Sequence, residues 1–323
     1  MNTDTNTAVN LALKKLKGIK PKGVKQKNNS YLENLIDIGN EFCTAAKEIT
    51  QLFRWGTNKL QMAEYKNLFN KLIFGQKFDE STLHDWILST YQNLNKDESL
   101  EPGIFSGLLL TELTKRKHED NKLSVFYFNG DNKKLDNLFY FVEQIDVLVL
   151  KDLKGSDVGY YAGSGKSGNL GLVAGINISG GGIFSHLQFK DSDCKGLLAF
   201  NVSGHSLTNI DTGVGFKGVV PFTPASRFVF LPKRYNMAQC VFYLSLGGLG
   251  VSESELNQMS AEEVLSKYSL SRLEEKTWKQ KKGALMFDLL RSLSKENTNA
   301  DHTLNQIVNI AQETYRVGIN YEY

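Results

Sequence analysis

Three aspartates, Asp191, Asp193 and Asp211, and two histidines, His186 and His205, fall within one glycine-rich stretch of the chain. Neighbouring carboxylates can act as a general acid and a general base, as in the large β-helix enzymes that cleave acidic sugars. Asp191-Ser192-Asp193 is equally an ordinary turn former. It also lacks the further oxygen ligands that calcium requires. His186 and His205 stand about one repeat apart, close enough in a repeating fold to meet, and also read as turn or surface residues. The remaining histidines, His84, His118 and His302, are scattered, and none has a metal-ligand spacing from a cysteine or another histidine. The residues therefore assign no catalytic group, no metal site and no cofactor.

Two nucleotide and nucleophile motifs are approached and missed. The run Ala162-Gly163-Ser164-Gly165-Lys166-Ser167-Gly168 contains the Gly-Lys-Ser of a phosphate-binding loop. The first glycine of that motif would stand at position 160, which is Tyr160, and the segment that follows reads as a strand rather than the required helix. A strand-to-helix nucleophile elbow is absent: Ser164 lacks its first glycine and Ser206 its second.

The charge is uneven. Lys14, Lys15, Lys17, Lys20, Lys22, Lys25 and Lys27 crowd one short stretch without an acid among them, although the net formal charge is only +3. Gly18, Pro21 and Gly23 interrupt helix formation there. Residues 1–29 are expected to be a flexible basic arm. Such an arm is either a solvated tail or a nucleic-acid or anion-binding segment that meets RNA, a ribosome or an anionic surface. It has no aromatic residue to stack on bases, so its contact would be electrostatic rather than sequence-reading.

The elements that would position any site divide the chain in three. About half of the 28 glycines lie between Gly155 and Gly218. In that middle region an apolar-x-Gly triplet recurs at Phe128-Asn129-Gly130, Leu153-Lys154-Gly155, Ile178-Ser179-Gly180 and Val202-Ser203-Gly204. Polar residues precede the last three copies (Asp152, Asn177, Asn201), and the apolar runs VLVL, LVAGI and LLAF lie upstream. A period of 24–25 residues with glycine corners predicts a short parallel β-solenoid of three to four coils over residues 121–232. Asn side chains at the corners would bond from coil to coil. Tyr140, Phe139, Phe141, Tyr160 and Tyr161 are candidates for an aromatic ladder, either as core or as an outward strip suited to a partner.

Helical periodicity governs both flanks. Leu32, Leu35, Ile36, Phe42, Ala46, Ile49 and Phe53 share one helix face, and further helices are expected around Leu60–Leu72, around Leu83–Leu94, and after Pro102 and Gly103. The later stripes, Trp278, Leu285, Met286, Leu289, Leu293 and then Leu304, Ile307, Ala311, Tyr315, repeat the pattern. The expected architecture is α+β: a basic arm, an N-terminal helical domain over 30–120, the β-solenoid, and a C-terminal helical cap over 233–323. The helices would close the exposed ends of the coils. The order helices, β-solenoid, helices is similar to that of scaffold subunits in iron–sulfur cluster assembly. That resemblance is one of architecture alone and carries no residue role across.

A hydrophobic content of 41% against 23% charged residues suits a folded chain and excludes wholesale disorder. No apolar run is long enough to span a bilayer, no secretory leader is evident, and the three cysteines are odd in number and widely spaced. A cytoplasmic location is expected. The class these observations favour is a non-enzymatic interaction or scaffold protein with a protein or RNA/ribosome partner. The alternatives are an enzyme that uses an acidic or histidine-bearing solenoid surface on a carbohydrate or nucleotide substrate, and a homo-oligomeric structural protein.

Overall fold

The computed structural model describes residues 31–52, 59–163, 168–184, 196–203, 240–244, 282–295 and 299–315, with single positions at 258, 260, 263 and 317. The N-terminal part comprises α1 (Tyr31–Leu52), α2 (Lys59–Ile73), α3 (Glu80–Thr90) and α4 (Leu100–Glu119). Five strands follow, β1 (Val125–Lys134), β2 (Gln144–Lys154), β3 (Asn169–Ser179), β4 (Gly196–Ser203) and β5 (Cys240–Leu244), then α5 (Gly283–Ser294) and α6 (Ala300–Tyr315). Among the described residues no helix is long and apolar enough to cross a membrane.

Local chemistry accounts for the helices. In α1 the residues Leu35, Phe42 and Ala46 recur at helical spacing and are buried. Asp79 caps α3: its carboxylate accepts the Thr82 amide at 2.8 Å and the Thr82 hydroxyl at 2.7 Å. Those bonds hold the Asp79 carboxyl below its ordinary range. Helix α4 begins at Leu100, ahead of the start expected after Pro102. Proline is tolerated in a first turn because the amide it lacks would have no partner there. From Glu101 to Thr111 every residue of α4 is buried, whereas its last turns reach the surface at Lys115 and Glu119.

The strands form one parallel sheet in the order β1-β2-β3-β4-β5. Leu153 pairs with Ile178, which pairs with Val202, so the apolar positions of the last three glycine triplets lie side by side. The first triplet is out of step. Phe128 pairs with Leu150, and the ladder is interrupted between Asn129 and Lys133. Asp131 and Asn132 adopt left-handed backbone in that interruption, so Lys133, not Phe128, stands opposite Leu153. At the corresponding corners of β2 and β3, Asp152 and Asn177 have φ of 50° and 52°. Their side chains meet: Asn177 Nδ2 donates to Asp152 Oδ1 at 2.7 Å.

The expected β-solenoid closed at its ends by helices is corrected. The sheet is open, with β1 and β5 at its edges, and the helices cover its faces. One buried cluster joins Leu148, Leu150, Val173 and Ile178 to the side chains of α1–α4. A second joins Val147, Val149, Leu172, Ala174 and Ile176 to Met286, Leu290 and Leu293 of α5 and to Ile307 and Ala311 of α6. The reason is legible in the runs themselves. VLVL and LVAGI are apolar at consecutive positions, so both faces of the strand need cover, whereas a coil wall with one face in water would alternate. The architectural likeness to iron–sulfur scaffold subunits rested on the β-solenoid in that order and falls with it.

The connections between strands add a second ladder. Leu135 N donates to Lys154 O, Asn137 N to Ser156 O and Phe141 N to Tyr160 O; Gly159 N and Gly163 N donate back to Leu138 O and Val142 O. Asp157 N and Phe184 N extend the pattern to Gly181 O and Val158 O. Within each connection the chain makes consecutive four-residue turns, Asn137 to Tyr140 and Phe139 to Val142, then Asp157 to Tyr160 and Gly159 to Ala162. Each turn has positive φ at its third residue, as a type II turn requires. Those residues are Phe139, Phe141, Gly159 and Tyr161, with φ between 55° and 64°. Aromatic side chains rarely adopt this conformation, and the surrounding packing must hold them there.

Candidate functional site

The basic arm, Lys14, Lys15, Lys17, Lys20, Lys22, Lys25 and Lys27, lies outside the described residues, as do Asp191, Asp193, Asp211, His186 and His205. The structure therefore brings none of these together or apart. The near-miss phosphate loop is likewise outside the description at Ser164–Ser167. Among the described residues no group of three or more His, Cys, Asp and Glu is gathered as a metal ion would require.

The described histidines separate by role. His84 packs on the Phe128 ring, with centroids 5.0 Å apart, and His302 is exposed. His118 is different. It sits in the last turn of α4 with its Nε2 2.8 Å from Oδ2 of Asp146, a fully buried residue of β2. The same oxygen accepts the Ser124 amide at 2.8 Å, and the Ser124 hydroxyl accepts from Thr114 Oγ1 at 3.0 Å. Serine, histidine and aspartate thus meet, but the serine is held through its backbone amide and by Thr114. The cluster fastens α4 to the start of β1 and to β2. Spacing in the sequence gave no sign of it, because Asp146 is separated from His118 by 28 positions.

Two surfaces have the shape of a binding site. The first is the aromatic ladder. Tyr140 stacks on Tyr160 at 5.1 Å and 18°, and Phe141 on Tyr161 at 5.4 Å and 16°. Phe139 and Phe141 are buried, while Tyr140, Tyr160 and Tyr161 are half-buried. The ladder therefore belongs to both alternatives raised from the sequence, core on one side and a partly exposed tyrosine strip on the other. Burial pushes the Tyr160 hydroxyl up to about 12 and the Tyr140 hydroxyl higher still, with the neighbouring tyrosines adding to each shift.

The second is a groove of about 570 Å³ between α1, the end of α3 and the start of α4. Ile36, Trp86, Leu94 and Pro102 give it apolar walls, and Asn40, Asn93, Glu98 and Glu101 give it polar ones. Glu101 is 4% exposed. A chain of hydrogen bonds runs to it across three helices. Gln61 Nε2 donates to Tyr65 Oη at 3.0 Å, Tyr65 Oη and Thr50 Oγ1 lie 2.9 Å apart, and Thr50 Oγ1 donates to Glu101 Oε1 at 2.9 Å. Such chains polarise one another in a low-dielectric interior. Cys43 also lines the groove, but burial, reinforced by the Glu101 charge, pushes its thiol up to about 12. The thiol stays protonated at neutral pH and is a poor nucleophile.

No protein-family model matches the chain, nor does any curated protein or solved structure.

Proposed function

We propose that the protein is a non-enzymatic interaction or scaffold protein, docking on RNA or a ribosome through its lysine-rich N-terminal arm. The observation that carries the reading is the concentration of seven lysines, from Lys14 to Lys27, with no intervening acid. A segment of that composition neutralises phosphates and releases their counterions. The way the buried polar groups are used supports it. Asp146 is committed to His118 and Ser124, Asp136 accepts the Ser156 amide at 2.7 Å, and buried Glu143 pairs with Lys66 at 2.5 Å. These groups hold the frame together.

The test is co-purification of RNA with the full chain and with a form lacking residues 1–29, across a salt gradient. The expected result is RNA retained by the full chain, released steeply as salt rises, and lost on deletion. RNA binding that survives the deletion unchanged would overturn the arm's role. A phosphate contact made by n lysines weakens with salt in proportion to n, so the slope reports how many of the seven engage.

A further inference from the structure

We propose that the groove between α1, α3 and α4 is a binding site for a small organic monoamine, with Glu101 as the acceptor of its ammonium group. This proposal is independent of the arm and its partner. Glu101 is almost wholly buried yet lines the groove. Its one hydrogen bond among the described residues, from Thr50, is made to Oε1. A carboxylate offers about four lone-pair positions, so a single hydroxyl leaves most of its accepting capacity unused. A buried carboxylate without a counter-charge is costly, and a ligand ammonium would supply the missing one with a charge-assisted hydrogen bond.

The rest of the groove sets the ligand's shape. Its volume of about 570 Å³ suits a small molecule rather than a folded partner. Ile36, Trp86 and Leu94 offer apolar surface for an alkyl or aryl body. Trp86 reaches this position because Gly39 faces it: a Cβ there would lie 2.9 Å from the indole nitrogen. Lys47 lines the groove from an exposed position on α1 and makes no ion pair among the described residues. Glu98 lines the groove as well, so the Lys47 and Glu98 charges offset each other and leave Glu101 as the net charge that a ligand with one cationic end would neutralise.

The experiment is titration calorimetry with thermal melting of the full chain, using phenethylamine and hexylamine as probes. Phenethyl alcohol serves as the neutral isostere and spermidine as the polycation. Saturable binding of the monoamines at millimolar concentration is expected, with a rise in melting temperature that the alcohol does not produce and spermidine does not exceed. Glu101→Gln keeps an acceptor for Thr50 and removes the charge, and should weaken the monoamines by about tenfold or more. Ser89→Trp places bulk on an exposed groove wall and should block them too, which keeps the test decisive if Glu101→Gln fails to fold. Absence of saturable monoamine binding, equal binding of the alcohol, or monoamine affinity unchanged in either variant would overturn the proposal.

Discussion

The hydroxyl of Ser106, on the buried face of α4, accepts the backbone amide of Phe139 at 3.0 Å while donating to the carbonyl of Gly103 at 2.8 Å. One helical turn later Thr111 repeats the arrangement, accepting from Glu143 N and donating to Gly107 O, each at 2.9 Å. Phe139 and Glu143 belong to the first interstrand connection, and neither amide has a backbone acceptor among the described residues. Helix α4 seals both with side-chain oxygens. Gly103 and Gly107 let it approach, since a Cβ at either would overlap the carbonyl of Asn137 or Tyr140.

Ser106→Ala and Thr111→Val should each leave a buried amide unpaired and cost about 1–3 kcal/mol. Urea denaturation of the two single variants and the double variant checks this. The double variant should fall near the sum, because the two hydroxyls serve different amides.

Removing the Asp146 carboxylate should be more damaging. Asp146→Ala takes the shared acceptor from the Ser124 amide and the His118 ring at once, within a buried setting, at a cost of about 3 kcal/mol or more. Asp146→Asn keeps an acceptor and should lose less. Thermal or chemical melting of the pair of variants measures the difference.

Gly180 and Gly75 separate collision from backbone strain. Both have positive φ, 152° and 73°. A Cβ on Gly180 would overlap the carbonyl of Gly155 in the neighbouring corner, whereas one on Gly75 meets nothing within 4 Å. Gly75→Ala should cost about 1 kcal/mol, and Gly180→Ala more than about 3 kcal/mol, as read by denaturant midpoints at constant m.

The stacked tyrosines should couple. A double-mutant cycle with Tyr140→Leu and Tyr160→Leu is expected to give about 0.5–1.5 kcal/mol of interaction energy.

Alkaline pH should destabilise the fold. Cys43 is raised from 9.0 to about 12 in the folded chain by burial, then by the Glu101 charge. Above the unfolded value the unfolded thiol releases its proton while the folded one keeps it. Its contribution to stability is therefore complete below about pH 9 and is lost as pH climbs toward 12. Tyr160, raised from 10.0 to about 12, acts in the same direction over the upper part of that window. Melting temperature followed across this range should fall, and Cys43→Ala should flatten the first part of the decline.

Part of this arrangement was readable in the residues. The stripe Leu35, Phe42, Ala46 marked α1, and the spacing of Leu153, Ile178 and Val202 marked three neighbouring strands. Asp152 and Asn177, singled out as corner residues, bond to each other as corner-to-corner contact requires. The placement of the helices was misjudged because the glycine period was given more weight than the texture of the strands. Consecutive apolar residues such as Val147, Leu148, Val149 and Leu150 announce two covered faces, and that signal was present in the chain. Other features had no local signature. Ser106, Thr111 and Glu101 look like ordinary polar positions in a helix until the strand connection and α1 are packed against it. The positive φ of Phe139, Phe141 and Tyr161 contradicts the preference of aromatic residues, so only tertiary contacts impose it. The aspartates and histidines proposed from sequence, and the basic arm, fall outside the described residues.

The sheet also acts as a bulkhead. Leu148 and Val149 face separate interiors, so among the described residues the two apolar compartments meet only at the strands. Undocking α5 and α6 would wet Val147, Val149, Leu172 and Ala174 while the compartment around Phe42, Phe105 and Leu109 stayed dry. Among the described residues the smaller compartment, around α5 and α6, is therefore expected to open at lower free energy than the larger one.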